Sequence, residues 1–163
     1  MSLREAALYA SYRRLHAALY NVLYRQLWQR EECEDVIHDA YLRVWARRAS
    51  VLEASLDALI WTTALNLARN RLRWRRLWPR QPLDDAQPDH ALSPPDAHAA
   101  DELRRALQKL PATARDVLLL SEFAGLSGSE IAALLRIPPG TVASRKHLAM
   151  SKLKALLGAT RHA

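Results

Sequence analysis

The sequence is poor in cysteine and glycine and has no long apolar run. Its one cysteine, Cys33, excludes an internal disulfide and a zinc site built from cysteines, and it fits a reducing cytosol. With four glycines, the chain has neither a phosphate-binding glycine loop nor a nucleophile elbow. No 18 apolar residues run together, and the N-terminus lacks the apolar core of a signal peptide. We therefore expect a cytoplasmic protein without membrane insertion, catalytic residues, metal or cofactor.

Basic charge dominates the chain but is spread unevenly. The formal net charge is +7 and the isoelectric point is about 10.1. Residues 1–79 carry a net charge of +5, residues 80–100 of −3, and residues 101–163 again of +5. Basic proteins bind polyanions most readily. The pattern therefore indicates two nucleic-acid-binding surfaces separated by an acidic segment.

The first half of the chain has the periodicity of three amphipathic helices. Apolar residues, with Tyr12 among them, recur at steps of three to five and predict a helix over about 3–28. After a polar break at 29–32, we expect a second helix that ends at Ala46. Residues 47–54 interrupt the pattern, and Ser55 is expected to cap a third helix. That helix ends in an arginine-rich segment at 69–80.

The second half begins after a proline-rich stretch. Five of the eight prolines lie between residues 79 and 95 and predict a flexible linker over 79–98, between helical domains at 1–78 and 99–163. A short helix over 99–109 is expected next. Pro111 then opens a further helix, which Gly125 closes. No stretch alternates like a strand, so the predicted fold is all-α, with two small helical domains.

The C-terminal domain has the pattern of a helix-turn-helix. Ser127 and Glu130 have capping-box spacing ahead of one helix, and residues 137–140 predict a turn into a last helix over about 141–157. In such motifs the N-terminal end of the second helix enters the major groove of DNA. The outward residues there are Thr141, Ser144 and Arg145, and candidates for the same face are Lys146, His147 and Leu148. A helical hairpin used only for packing is the alternative.

The arginine-rich end of the third helix has more than one interpretation. Arg69, Arg71, Arg73, Arg75 and Arg76 form either a solvated helix terminus or a track for phosphates. In the second case, tryptophans at 74 and 78 could stack on bases, whereas the tryptophan at 61 is expected in the core. Calmodulin-type or membrane-surface binding fits the same composition. The helix-turn-helix downstream favours DNA.

An enzymatic interpretation has little support. Asp35 and His38 have the spacing of half a di-iron site in a helical bundle. No second such motif completes a site, so these residues are expected to be ordinary surface side chains.

Three segments together resemble one protein family. They are ECEDVIHDAYLRVW, ALIWTTALNLARNRLRWRR and LPATARDVLLLSEFAGLSGSEIAALLRIPPGTVASR. In this order and spacing they are similar to regions two and four of extracytoplasmic-function (ECF) sigma factors of bacterial RNA polymerase. The resemblance covers roughly residues 10–78 and 100–157. It implies a subunit that directs core RNA polymerase to promoters and helps to melt the minus-ten element.

The resemblance also implies three sets of contact residues. The set on the helix that docks on the clamp helices of the largest polymerase subunit is Glu34, Asp35, Asp39 and Arg43. The set at the minus-ten element is Asn66, Arg69, Asn70, Arg73 and Trp74. The set at the minus-thirty-five element is Gly140, Thr141, Ser144, Arg145, Lys146 and His147. The segment 47–57 would hold a flipped base of the unwound strand.

The implied partners are core RNA polymerase, double- and single-stranded promoter DNA, and an anti-sigma factor. The chain departs from the family at Ala143, Leu148 and Met150, where basic residues are frequent, so its upstream contact is expected to be weaker or differently specific. The alternative function is a stand-alone helix-turn-helix regulator with an N-terminal partner-binding module. Such a regulator would bind duplex DNA without polymerase.

Overall fold

A computed structural model of the chain describes residues 3–78 and 94–161, with side chains over 3–78 and 97–159. Every regular element in these ranges is helical, which confirms the all-α fold. The α-helices are α1 (Glu5–Leu27), α2 (Arg30–Ala46), α3 (Leu56–Leu77), α4 (Pro94–Gln108), α5 (Ala112–Phe123), α6 (Gly128–Leu135) and α7 (Pro139–Arg161). Two 3₁₀ turns, Arg48–Ser50 and Glu53–Ser55, connect α2 to α3. The chain divides into two compact units, Met1–Gln81 and Pro82–Ala163.

The first unit is a bundle of α1, α2 and α3, each packed on the other two. Its core is made of aliphatic side chains from all three helices. The largest of these that are fully buried are Leu19, Val22, Leu23, Leu27, Val36, Ile37, Val44 and Ile60. Each such side chain contributes about 1.5–3 kcal/mol by leaving water. Tyr12, expected on the inner face, is 38% exposed, whereas the neighbouring Ser11 is fully buried.

The corner between α1 and α2 is tighter than the polar break at 29–32 suggested. Trp28 ends α1 in the left-handed region, with φ of 58°, and its N–H donates to the Tyr24 carbonyl. The helix α2 therefore begins at Arg30, with Glu31 and Glu32 in its first turn. Their carboxylates lie at the positive end of the helix dipole, which stabilises the start of the helix.

The start of α3 differs from the prediction for Ser55. This residue precedes the helix, but its backbone is already right-handed helical and its side chain makes no capping hydrogen bond. The cause is the 3₁₀ turn Glu53–Ser55, which winds directly into α3. An N-cap side chain needs extended backbone to reach the free N–H groups. The prediction that Ser55 caps the third helix is therefore wrong.

The second unit packs α4, α5 and α6 against α7. The buried face comes mainly from α5, where residues 117–120 have at most 2% exposure. The helix α4 begins at Pro94, five residues before the expected start at 99, and residues 79–93 of the predicted linker lie outside the described part of the chain. Gly125 follows α5 with φ of +68°, and the Leu126 N–H donates to the Leu120 carbonyl, as expected of a glycine that ends a helix.

The helix-turn-helix geometry depends on two local devices. Ser127 and Glu130 form the predicted capping box: the Glu130 N–H donates to the Ser127 hydroxyl and the Ser127 N–H to the Glu130 carboxylate. After α6, Arg136 adopts φ of 55° and turns the chain. The helix α7 then begins at Pro139, two residues earlier than predicted, because a proline fits the first helical turn, where no N–H bond is lost.

Candidate nucleic-acid interface

A pocket of about 630 Å³ opens between the end of α2 and the middle of α3. Its lining is Arg43, Val44, Ala46, Arg47, Leu59, Thr63, Asn66, Leu67 and Asn70. The α3 members recur at steps of three and four because residues with that spacing share one helix face. The pocket therefore brings together Arg43, assigned above to polymerase docking, with two asparagines assigned to the minus-ten element.

Some polar groups of this pocket already have hydrogen-bond partners among the described residues of the protein, and others do not. The Thr63 hydroxyl donates to the Leu59 carbonyl at 2.6 Å, and Asn70 Oδ1 accepts from Arg73 Nη2 at 3.1 Å. Asn66 is exposed, and its amide has no hydrogen-bond partner within the described part of the chain. An amide offers two donors and an acceptor, which suit the edge of a nucleotide base. Asn66 thus presents an unbonded amide at the pocket.

The arginines at the end of α3 fall into distinct classes. Arg73 and Arg76 are exposed, whereas Arg71 is half-buried. Arg75 is also half-buried: its Nη1 donates to the Leu27 carbonyl at 3.1 Å and its Nη2 pairs with Glu32. The guanidinium of Arg75 therefore holds α3 to the corner of α1 and α2. Of the predicted phosphate track, Arg69, Arg73 and Arg76 lie at the surface.

The tryptophans in and next to α3 also differ in exposure. Trp61 is buried, as expected of a core residue. Trp74 and Trp78 are 53% and 69% exposed, and Leu77 between them is 64% exposed. The end of α3 thus presents aromatic faces beside positive charge, an arrangement that can stack on unpaired bases.

The acids of α2 lie along its solvent-facing side. Asp35 is exposed, and Asp39 pairs with Arg43 at 3.2 Å. Glu34 lies nearer to α1, where Nε2 of His16 is 3.1 Å from its Oε2. Leu42 stands on the same side and is 52% exposed. The structure thus combines three carboxylates and one apolar side chain on one exposed face.

The chain has side chains that could bind a metal ion or react as a thiol. Within residues 3–78 and 94–161, no three His, Cys, Asp or Glu side chains are arranged to hold a metal ion. Burial raises the pKa of the Cys33 thiol to about 12. At neutral pH that thiol stays protonated, and it packs as an apolar group in the core.

The helix α7 has a buried face and a solvent-facing side. Val142 and Ala149 are buried against the unit's core. At about 100° per residue, the opposite side carries Gly140, Ser144 and His147, all exposed, together with half-exposed Thr141. The Ser144 hydroxyl donates to the Thr141 carbonyl at 3.1 Å. Four of the six residues assigned to the minus-thirty-five element therefore share this surface.

Arg145 and Lys146 lie at the edges of that surface. Lys146 is only about 40° around the helix from buried Val142. Its Nζ lies 3.5 Å from Oε1 of Glu122, so the side chain extends towards α5. Arg145 is half-exposed on the opposite edge. Arg145 is itself about 60° around the helix from Val142, so what distinguishes the two side chains is the ion pair of Lys146 with Glu122.

Sequence reasoning missed several members of these surfaces. Thr63 lines the pocket with Asn66, and Leu42 is exposed among the acids of α2. Of the segment 47–57, predicted to hold a flipped base, Arg47 is the residue that lines the pocket. The steps from 59 to 63, 66 and 70 would have predicted the α3 lining. The α2 members could not be found this way, because their position depends on how two helices pack. In the described residues, no helix is both long and apolar enough to cross a membrane.

Comparisons with known proteins find similarity to RNA polymerase sigma factors. Residues 100–153 match the family model "Sigma-70, region 4". The chain is 28% identical over 154 residues to ECF RNA polymerase sigma factor SigE of Mycolicibacterium smegmatis, covering 88% of this chain but only 59% of SigE. It is 31% identical over 162 residues to ECF RNA polymerase sigma factor SigL of Mycobacterium tuberculosis, covering 94% of this chain and 90% of SigL.

Solved structures share the fold. CnrH, in complex with the cytosolic domain of CnrY, has a TM-score of 0.74 at 23% identity, covering 96% of this chain and 90% of CnrH. The sigma factor RpoE of Bartonella quintana, in complex with the anti-sigma factor NepR, has a TM-score of 0.57 at 22% identity, covering 90% and 95%. The similarity to SigL extends over nearly the whole of both chains. The chain belongs to the ECF sigma factors, non-enzymatic subunits that direct RNA polymerase to promoters.

Proposed function

We propose that this sigma factor divides promoter recognition between its two units and binds core polymerase mainly through α2. The observation that carries the proposal is the pocket between α2 and α3. It combines the unbonded amide of Asn66, the amide of Asn70 and two arginines at one opening. Its volume lies in the range of pockets that enclose small organic groups.

In the first unit, the pocket receives one base extruded from the non-template strand of the minus-ten element. Taking a base out of the stack costs a few kcal/mol, which a matching pocket offsets. Arg69 and Arg73 follow the backbone of the melted strand, and Trp74 stacks on a neighbouring base. Residues 47–57 connect α2 to the first turn of α3, and Arg47 of this segment lines the pocket.

In the second unit, the N-terminal half of α7 reads the minus-thirty-five element. The exposed side carries Gly140, Thr141, Ser144 and His147, and Arg145 lies at its edge. Small and hydroxyl-bearing residues at a helix N-terminus allow phosphates to approach closely. Arg145 is long enough to reach a guanine edge.

The carboxylates of α2 dock on the clamp helices of the largest subunit of core polymerase. Asp35 is the most accessible of them, while Asp39 and Arg43 form an ion pair beside the pocket. This proximity explains how docking and strand capture can occur on adjacent sides of one helix. We place the protein in the cytoplasm, where the polymerase works.

An anti-sigma factor is a further proposed partner. The support is the RpoE structure, which was solved in complex with the anti-sigma factor NepR. We name no contact residues for such a partner.

The experiment is transcription in vitro with purified chain, core polymerase of the same organism and fragments of its genome. We expect defined start sites that core polymerase alone does not use. Failure to obtain any such start site would contradict the proposal. Specific binding of duplex promoter DNA by the chain without polymerase would instead favour the stand-alone regulator.

A further inference from the structure

An exposed leucine lies on the helix that would enter the major groove. Leu148 in α7 is 45% exposed, and between residues 97 and 159 no other large apolar side chain is exposed to this extent. Leaving a leucine half in water forgoes part of the burial free energy that the core leucines gain. A single exposed leucine is common on protein surfaces, so what matters is where Leu148 lies on α7.

Leu148 shares its side of α7 with residues already assigned to DNA. It lies two turns from Thr141, at nearly the same angle around the helix, and one turn from Ser144. It is about 120° around the helix from buried Val142, so it points away from the core. Lys152, one turn beyond Leu148, is exposed and supplies positive charge to the same side.

The chemistry of base edges limits what a leucine can recognise there. Every polar group in the major groove requires a hydrogen-bond partner, which an alkyl side chain cannot supply. Thymine alone presents an apolar group in that groove, its C5 methyl. A leucine among hydroxyl-bearing neighbours is thus suited to select a thymine.

We propose that Leu148 is a specificity-determining residue that packs on the C5 methyl of a thymine in the upstream promoter element. The inference depends on the proposed function, because it requires α7 to enter the groove of that element.

The test replaces each thymine of the upstream element, one at a time, with uracil, which lacks only the C5 methyl. Initiation by polymerase with the wild-type chain should fall about threefold to fourfold at one position, the effect of one methylene-sized contact. Leu148→Ala should initiate equally on the thymine and uracil templates at that position. Arg145→Ala is the matched control: it should lower initiation on both templates and keep their ratio.

Three results would overturn the inference. The first is equal initiation by the wild-type chain on the thymine template and on every uracil template. The second is a preference for thymine over uracil that persists in Leu148→Ala. The third is weaker binding of Leu148→Ala to core polymerase in the absence of DNA. The last would mean that Leu148 contacts a protein. If the wild-type chain initiates on no template, the proposed function itself fails and this inference fails with it.

Discussion

Neighbouring arginines of α3 differ in what their side chains are free to do. Arg75 is engaged by the Leu27 carbonyl and by Glu32, whereas Arg76, one residue further, is exposed. The same contrast separates Asn70, which accepts a bond from Arg73, from Asn66, whose amide is unbonded in the described chain. At the scale of single residues, function follows from which polar groups the fold leaves unused.

Asn66→Ala should impair strand opening and leave polymerase binding intact. The lost amide contact is worth about 1 kcal/mol, so open-complex formation should fall roughly fivefold. Permanganate reactivity of melted thymines measures the change, and a pull-down with core polymerase measures binding. Asn21→Ala, an exposed asparagine of α1 outside the pocket, is the matched control and should be neutral. Equal loss of melting and polymerase binding would contradict the assignment.

At the scale of elements, a few local contacts set the direction of whole helices. The end of α3 is tied to the corner where α1 meets α2 through Arg75, and this fixes the direction in which the exposed arginines point. In the second unit, the capping box begins α6, and the left-handed Arg136 turns the chain into α7. Each contact acts at a helix end, because backbone groups there have no partner within the helix.

Arg75→Ala should destabilise the first unit, while Arg76→Ala should not. Removing Arg75 leaves the Leu27 carbonyl and the largely buried Glu32 carboxylate without their partner, at a cost of about 1–3 kcal/mol. Urea unfolding followed by circular dichroism measures the difference between the variants. Arg76 is exposed, so its removal should change the free energy of unfolding by less than about 0.5 kcal/mol. Equal urea midpoints of unfolding for the two variants would refute the role of Arg75 in holding α3 to the corner of α1 and α2.

Ser127→Ala should loosen the helix-turn-helix. Loss of an N-cap side chain typically costs about 1 kcal/mol, because a backbone N–H loses its acceptor. Hydrogen exchange at the α6 amides of the full chain should quicken by roughly fivefold. Ser129→Ala, in the same helical turn but outside the capping box, is the control and should leave exchange nearly unchanged. Equally fast exchange in both variants would mean that the box does not hold α6.

At the scale of the whole molecule, the acidic side chains of α2 form one surface that is distinct from the basic surfaces of α3 and α7. The chain carries a net charge of +7, yet α2 presents a side with Asp35, Asp39 and half-buried Glu34. Basic residues are dense at the end of α3 and recur along α7, and others lie on α1 and at the end of α2. A molecule that must bind both a protein and DNA avoids competition between them in this way, since phosphates are repelled by the acidic side.

Asp35→Lys should weaken binding to core polymerase about tenfold without reducing affinity for single-stranded DNA. Asp35 is a cleaner probe than Asp39, because charge reversal at Asp39 would also disrupt the ion pair with Arg43 at the pocket. The measurement is equilibrium binding of labelled chain to core polymerase at two salt concentrations, and the difference should shrink at high salt. Glu5→Lys, an exposed acid at the start of α1, is the charge-matched control. Undiminished polymerase binding by Asp35→Lys would remove α2 from the docking surface.

The amino-acid order by itself determined the helices, the capping box at Ser127 and Glu130, and the glycine that ends α5, because these depend on contacts within a few residues. Only the tertiary structure decided that Arg75 is a clamp and that Lys146 extends towards Glu122. It also decided that Arg43 joins two asparagines at one pocket. In each of these cases the outcome depends on the surroundings that the folded backbone brings to a side chain. Residue spacing along the sequence carries no direct record of that packing.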